Sequence, residues 1–198
     1  MIYIVRHGQT AWNLQGRKQG RKDSPLTLKG IQQAKNVART LKNNVSNHQK
    51  FKIVVSPQWR CQQFASIVCE LIGVDFSECI FEEGLREHCF GLWEGKTEEE
   101  IEREFPGYLN RRYKPENYWS YIVPMGESYQ LLDARVSKVL KKYEACDIIY
   151  ICHEMVSKVI RGRLLSKKPE DVLAWNHPQN IIYKIYEKNI EDLNTDGP

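Results

Sequence analysis

Residues 3–10 read Tyr3-Ile4-Val5-Arg6-His7-Gly8-Gln9-Thr10. The apolar, β-branched run reads as a buried strand, and Gly8 lets the chain turn sharply after it. In an open α/β sheet, ligands bind beyond the carboxyl ends of the strands. Arg6 and His7 are therefore placed where chemistry is expected. A guanidinium beside an imidazole suits a dianionic phosphate better than a metal, because a fixed cation repels a metal ion. A strand that simply ends in polar residues would look the same over so short a stretch, so the remainder of the chain has to decide.

Working outward, a Gly- and Lys-rich loop over 13–26 leads to Thr27. This residue is expected to cap a helix with Ile31, Ala34, Val37, Ala38 and Leu41 at helical spacing. An apolar strand over 51–55 is broken by Ser56-Pro57, which reads as the N-cap and first position of a second helix. That helix carries Phe64, Ile67, Val68 and Leu71 on one face and stops at Gly73. Ile80-Phe81 is expected to form a short third strand, leading to Glu87. Residues 88–125 change character: Trp93 and Trp119 accompany several tyrosines, Thr97 and Glu100 form a capping box, and Pro106, Pro115 and Pro124 fragment the rest. This stretch reads as an inserted cap. A long amphipathic helix follows through Leu132, Val136, Val139, Leu140 and Tyr143. The most apolar strand, over 147–152, then ends at His153, which begins another helix. Residues 180–186 read as a final edge strand, and the tail after Lys188 as frayed. Strands alternating with helices predict an α/β three-layer sandwich with a mostly parallel central sheet and helices on both faces. The chain is read as one domain over 1–198 with the cap inserted.

At 198 residues and 41% hydrophobic content the chain can bury a full core. Its net charge of +4 is dispersed rather than gathered in a stripe, so no nucleic-acid partner is expected. No run approaches the length of a membrane span. With a strand expected to begin at residue 2, no secretory leader is expected. The six cysteines include no C-x-x-C pair and read as buried thiols in a reducing compartment, so a cytoplasmic location is expected.

Three strands are thus expected to end in phosphate ligands: Arg6-His7, the segment from Ser56 to Arg60, and His153. If these strands are parallel neighbours, their ends open onto one edge of the sheet. Arg60 would lie in the first turn of its helix, whose free N–H groups also favour an anion. Two arginines and two histidines in one empty pocket repel one another, which should keep at least one imidazole neutral. A like charge at ~4 Å costs on the order of 4 kcal/mol near a surface. A phosphate dianion reverses that repulsion. A neutral histidine can attack phosphorus directly, and the leaving alkoxide then needs an acid with a raised pKa. Glu87, after a strand and before an aromatic cap able to desolvate it, is the candidate.

The stretch Arg6-His7-Gly8-x-Thr10-x-Trp12-Asn13 resembles the signature of the histidine phosphatase superfamily, in its phosphoglycerate mutase-like branch. The resemblance continues in order through Gly16-Arg17-x-Gln19-Gly20, Asp23-Ser24-Pro25-Leu26-Thr27-x-x-Gly30 and Ser56-Pro57-x-x-Arg60. It extends to Leu85-x-Glu87, Gly91-x-x-Glu94-Gly95 and Gly126-Glu127-Ser128 with Arg135. It implies that His7 is the phosphorylated nucleophile, that Arg6, Arg60 and His153 form the phosphate pocket, and that Asn13 adds a further contact. Gln19 and Gly20 would lie at the substrate mouth and Glu87 would donate the proton. No metal and no cofactor are implied, and the partner is a small phosphorylated metabolite.

The compact cap and the Asp-Ser-Pro-Leu-Thr form of the first loop resemble the phosphatase group. Against this, Arg111-Arg112 resembles an arginine pair in the mutase cap that grips a substrate carboxylate, so a cofactor-dependent phosphoglycerate mutase is the alternative. A weakly catalytic member that binds phosphorylated ligands is the second. Three departures from the family pattern stand out. Glu154 follows His153 where Gly is usual, Phe64 stands where Thr is usual, and Gln9 replaces Glu. Gly91 to Thr97 imitates a nucleotide-binding loop but is one residue short, and Gly126-Glu127-Ser128 lacks the second Gly of a serine-hydrolase elbow. His48, His88 and His177 are scattered, with no ligand spacing, and His88 is expected as a wall residue. An exposed edge near residue 182 would be available for pairing two copies into a homodimer.

Overall fold

The computed structural model describes residues 1–45, 50–112 and 121–196, with the side chains of residues 111 and 112 outside the description. Six strands form one sheet: β1 (Ile2–Arg6), β2 (Lys52–Val55), β3 (Ile80–Phe81), β4 (Ile148–Cys152), β5 (Ile181–Tyr186) and β6 (Asn189–Asn194), in the order β3-β2-β4-β1-β5-β6. The pairs β3–β2, β2–β4 and β4–β1 are parallel, while β5 and β6 add antiparallel. The expected mostly parallel α/β sheet is present.

In chain order the helices are α1 (Ala11–Leu14), α2 (Leu28–Asn44), α3 (Trp59–Ile72), α4 (Glu98–Glu104), α5 (Tyr108–Arg112), α6 (Tyr129–Lys142), α7 (Glu154–Leu164) and α8 (Pro169–Leu173). Strand alternation sorts the core into two faces. Tyr3, Val5, Ile149 and Ile151 pack against α2 and α3 through Ala34, Leu41, Phe64 and Val68. Ile4, Ile148, Tyr150 and Cys152 pack against α6 and α7 through Leu132, Val136, Val156 and Ile160. All five residues of β4 are buried, because the strand is covered on both faces. Each large aliphatic side chain so buried contributes roughly 1.5–3 kcal/mol. A third, smaller cluster of Trp93, Ile101 and Val123 lies between residues 90 and 123. Phe64 is a fully buried core residue, so its departure from the family pattern is a packing matter.

Thr27 caps α2 by accepting from Gly30 N, and Thr97 with Glu100 forms the expected capping box of α4. Elsewhere long-range contacts override local signals. The Ser56-Pro57 start signal does not begin α3: the helix opens at Trp59 with Gln58 as N-cap and no side-chain cap of its own. The cap comes from a distant loop, where Asp23 accepts from Trp59 N (3.0 Å) and Arg60 N (3.3 Å). The chain after Lys188 is also not frayed. Glu187 and Lys188, both at positive φ, turn it back into β6, so β6 is the sheet edge and β5 is interior. Ile182 is buried and paired with Val5 on one side and Leu193 on the other. The exposed edge expected near residue 182 therefore does not exist, and that basis for a homodimer goes with it. Asn13 and Leu14, expected in a loop, belong to α1.

The turn after β1 meets the start of α2 at backbone distance. A Cβ on Gly30 would lie 2.1 Å from Gln9 O, and one on Gly8 would lie 2.5 Å from Gly30 O. Gly30→Ala is expected to force these segments apart at a cost of about 1–3 kcal/mol. Melting temperature should fall by about 2–4 °C for each kcal/mol at this chain length. A thermal melt unchanged within one degree would show that the contact can relax.

Candidate active site

The parallel register brings the three strand ends together. His7 N donates to Cys152 O (3.0 Å) and Ser56 N to Ile151 O (2.9 Å), so the ladder continues one residue past each strand. His7, Ser56 and His153 thereby sit side by side at the carboxyl edge. They adjoin a cleft of about 320 Å³ whose lining includes Arg6, His7, Asn13, Arg60, Glu87 and Glu154.

The His7 ring has a defined orientation. Nδ1 lies 2.8 Å from Gly8 O, and since a carbonyl only accepts, Nδ1 carries the proton. Nε2 keeps its lone pair, and Arg60 Nε points at it from 3.3 Å. Burial first, then the charges of Arg60 and Arg6, hold the His7 pKa well below the ordinary imidazole value. His153 lies behind it, with ring centroids 5.2 Å apart at 66°. The ring contacts Ser56 Oγ through Nε2 at 2.7 Å and approaches Cys61 Sγ. Burial, Arg60 and His7 lower its pKa in the same way. The structure thus places His153 against the His7 ring rather than on the cleft wall.

Arg60 is 1% exposed and is fixed by the 20–23 loop. It donates through Nη1 to Lys22 O and Asp23 Oδ1, both at 2.7 Å, and through Nη2 to Gly20 O at 2.8 Å. The expectation that the first N–H groups of α3 are free for an anion is not met, because Asp23 takes them. What remains to attract phosphate is the guanidinium itself. Gly20 serves through its carbonyl, and its φ of +56° and the closeness of Glu94 Oε1, 2.2 Å from where a Cβ would stand, require glycine. Gln19 lines the cleft with its Oε1 accepting from Ser24 Oγ at 3.2 Å.

Arg6 donates through Nη1 to His177 O (2.7 Å) and pairs with Glu154 Oε2 (3.0 Å). Its Nε is buried without a hydrogen-bond partner, a donor left over for a ligand at the cleft. Asn13 Oδ1 accepts from Thr10 N, Thr10 Oγ1 and Gln179 Nε2, each at 3.1 Å, which turns its amide nitrogen away from that cluster. Glu87 is 8% exposed. Its carboxylate accepts from His88 N (2.9 Å) and Met155 N (3.3 Å). Burial nevertheless pushes its pKa up, outweighing those bonds and Arg60. Arg135 holds the approach from behind, donating to Gly84 O (2.7 Å) and Glu87 O (3.0 Å).

Of the residues singled out from sequence, Arg6, His7, Asn13, Gln19, Gly20, Arg60 and Glu87 share the cleft lining. The side chains of Arg111 and Arg112 lie outside the described residues. Gln58 was missed. It donates to Gly20 O (2.9 Å) and accepts from Glu87 N (2.6 Å), tying the two sides of the site together. Its place between Pro57 and Arg60 in the motif was the available signal, but a glutamine in a helix-start motif has no distinctive chemistry. Gln9 points away, its Oε1 accepting from Thr27 Oγ1 at 2.9 Å. His88, expected as a wall residue, is not part of the cleft lining: it is buried with its ring against Phe90 and Tyr129. Among the described residues there is no group of three or more His, Cys, Asp or Glu able to hold a metal, and no helix long and apolar enough to cross a membrane.

Three buried histidines, His7, His153 and His177, have lowered pKa values, each chiefly through burial. The unfolded chain, with histidines near about pH 6.5, binds more protons than the folded one below that pH. Their contribution to stability is complete above that value and is lost as pH falls. Each can contribute a slope of up to about 1.4 kcal/mol per pH unit. Glu87, raised by burial, works in the opposite sense as a single group. Urea denaturation at pH 7.5, 6.0 and 5.0 should show progressive destabilisation; equal midpoints across that range would refute it.

The family description "histidine phosphatase superfamily (branch 1)" matches residues 2–189. The probable phosphoglycerate mutase GpmB of Enterobacter sp. (strain 638) is 37% identical over 139 residues, 70% of this chain and 60% of that protein. The chain thus spans about three-fifths of that relative's length. The α-ribazole phosphatase of Shigella flexneri superposes with a TM-score of 0.80 at 24% identity, covering 98% of this chain and 95% of that one. A mycobacterial glucosyl-3-phosphoglycerate phosphatase gives 0.78 at 23% identity, covering 98% and 96%. These two structures share the fold. With the family match running over nearly the whole chain, and its motif residues gathered around one cleft, the protein belongs to the histidine phosphatase superfamily, branch 1.

Proposed function

We propose that the protein hydrolyses phosphomonoesters of small metabolites through a phosphohistidine on His7, without a metal. The observation that carries this reading is the His7 ring itself: neutral, with Nδ1 tied to Gly8 O and Nε2 turned towards Arg60. The phosphoryl group sits between Arg6 and Arg60, where the unpartnered Arg6 Nε donates to it. Asn13 adds a further donor. His7 Nε2 attacks phosphorus in line, the P–O bond to the alcohol breaks, and Glu87 gives its proton to the leaving oxygen. Glu87, now a carboxylate, takes a proton from water; the hydroxide attacks phosphorus, the N–P bond breaks, and phosphate leaves. The dianion also offsets the charge that a proton on His153 would otherwise add to the cluster.

Gln19 and Gly20 form the substrate mouth, and residues 88–125 act as the cap over the leaving group, with Arg111 and Arg112 as further contacts. A cytoplasmic location accompanies the reading, consistent with six cysteines present as thiols. Because the aligned relatives are named as mutases, the test measures both reactions. Phosphate release from a panel of phosphomonoesters, with chelator present, is compared with interconversion of 2- and 3-phosphoglycerate. Release that survives chelation supports the proposal, whereas efficient interconversion with little release overturns it.

A further inference from the structure

Glu154 stands at the first position of α7, and its side chain turns into the cleft. Oε2 is 3.0 Å from Arg6 Nη1 and Oε1 is 3.5 Å from Lys158 Nζ, so the carboxylate bridges two cations of the cleft wall. The cleft's other cations are paired differently. Arg60 pairs with Asp23, Arg17 with Glu100 and Lys18 with Glu98, and none of those carboxylates lines the cleft. Among the described residues only Glu154 and Glu87 bring carboxylates into it. The Glu87 carboxylate is taken up by His88 N and Met155 N, so Glu154 is the carboxylate that a ligand meets beside Arg6.

The position of this charge matters. Arg6 offers its unpartnered Nε to the phosphoryl group while its Nη1 is held by Glu154 and His177 O. A second anionic group on the substrate, a few bonds from the phosphate, would therefore reach towards the Arg6–Lys158 pair and find it filled. Lys158 is 6% exposed, and its Nζ is the second partner of Glu154. The lone pairs of Glu154 that Arg6 and Lys158 do not use can accept from hydroxyls.

We infer that Glu154 is a specificity-determining residue that fills the seat of a second substrate anion between Arg6 and Lys158, so that the site takes phosphate esters of polyols and sugars and rejects phosphorylated carboxylic acids. This rests on the phosphatase reading for its chemistry, but the recognition it describes does not need turnover.

Glycerol 3-phosphate and 3-phosphoglycerate make the test, because they have the same carbon chain and differ in a terminal hydroxymethyl against a carboxylate. The wild-type kcat/KM should favour glycerol 3-phosphate by about tenfold or more. Glu154→Gln and Glu154→Ala, which leave Arg6 and Lys158 free for the substrate carboxylate, should each move the ratio by about tenfold or more towards 3-phosphoglycerate. The ratio within one enzyme is the readout, since general damage to the site lowers both substrates together. Calorimetric binding of the two esters reads the same ratio without catalysis. Absent phosphate release with a shifted binding ratio would fault the phosphatase reading alone. A ratio unchanged within twofold in both variants, or no binding of either ester to the wild type, overturns the inference.

Discussion

Replacing His7 by alanine is expected to lower kcat/KM for phosphomonoester hydrolysis by about 10⁴-fold or more, equivalent to roughly 5.5 kcal/mol of transition-state stabilisation. The reason is that in the proposed mechanism the imidazole forms the bond to phosphorus, and no neighbour is placed to replace it. The Nε2 of His153 is engaged with Ser56 Oγ at 2.7 Å, and Cys61, next to it, is buried with its thiol pKa pushed well up. In that mechanism the residual rate would come from Arg6 and Arg60, which would still bind the ester. Folding should survive, since the substitution removes a buried neutral ring from among Arg6, Arg60 and His153 and introduces no charge. Melting temperature reports on that independently. Rapid acid-free quenching with labelled ester should trap phosphate on the wild-type protein and not on the variant. Hydrolysis within tenfold of wild type in His7→Ala would show that another group attacks phosphorus.

Glu87→Gln is expected to cost about 10²- to 10⁴-fold on alkyl phosphates, the usual range for loss of a general acid. On p-nitrophenyl phosphate the loss should be far smaller, because a phenolate leaves without needing a proton. This contrast between leaving groups separates proton donation from simple disruption, which would lower both rates alike. The pH profile provides a second reading. Burial lowers the His7 pKa, so the acid limb of kcat/KM should lie below the usual imidazole value of about 6.5. Burial raises the Glu87 pKa, so the alkaline limb should lie above the ordinary value of about 4.3 for a glutamate. In Glu87→Gln the alkaline limb should disappear while the acid limb stays. Equal losses on both ester classes with an unchanged profile would remove Glu87 from the role of acid.

The site divides into parts that were readable in one dimension and parts that were not. Arg6, His7, Arg60 and His153 were readable because each follows or opens a strongly patterned element, and strand ends in a parallel sheet share an edge. Glu87 was readable from its place after β3 and before an aromatic stretch. Gln58 was not, because a neutral amide acquires meaning only when Gly20 O and Glu87 N arrive on either side of it. Glu154 could be recognised from sequence as a departure, yet its consequence depended on the direction of one side chain. The helix starting at Trp59 shows the same limit. Its local start signal was overruled by Asp23, a carboxylate thirty-six residues away that can satisfy two backbone N–H groups at once.

By itself, the sequence determined the layered α/β architecture, because hydrophobic periodicity is set by which face each residue must bury. It also determined the set of charged and imidazole groups available to meet a phosphate. Only the tertiary structure decided which atoms of that set remain open. Pairing of Arg60 with Gly20 O, Lys22 O and Asp23, and of Glu154 with Arg6, joins segments far apart in the chain. Such contacts depend on directional hydrogen bonds formed after the core has assembled. The local pattern along the chain records burial, and it carries no trace of which distant donor an acceptor will meet.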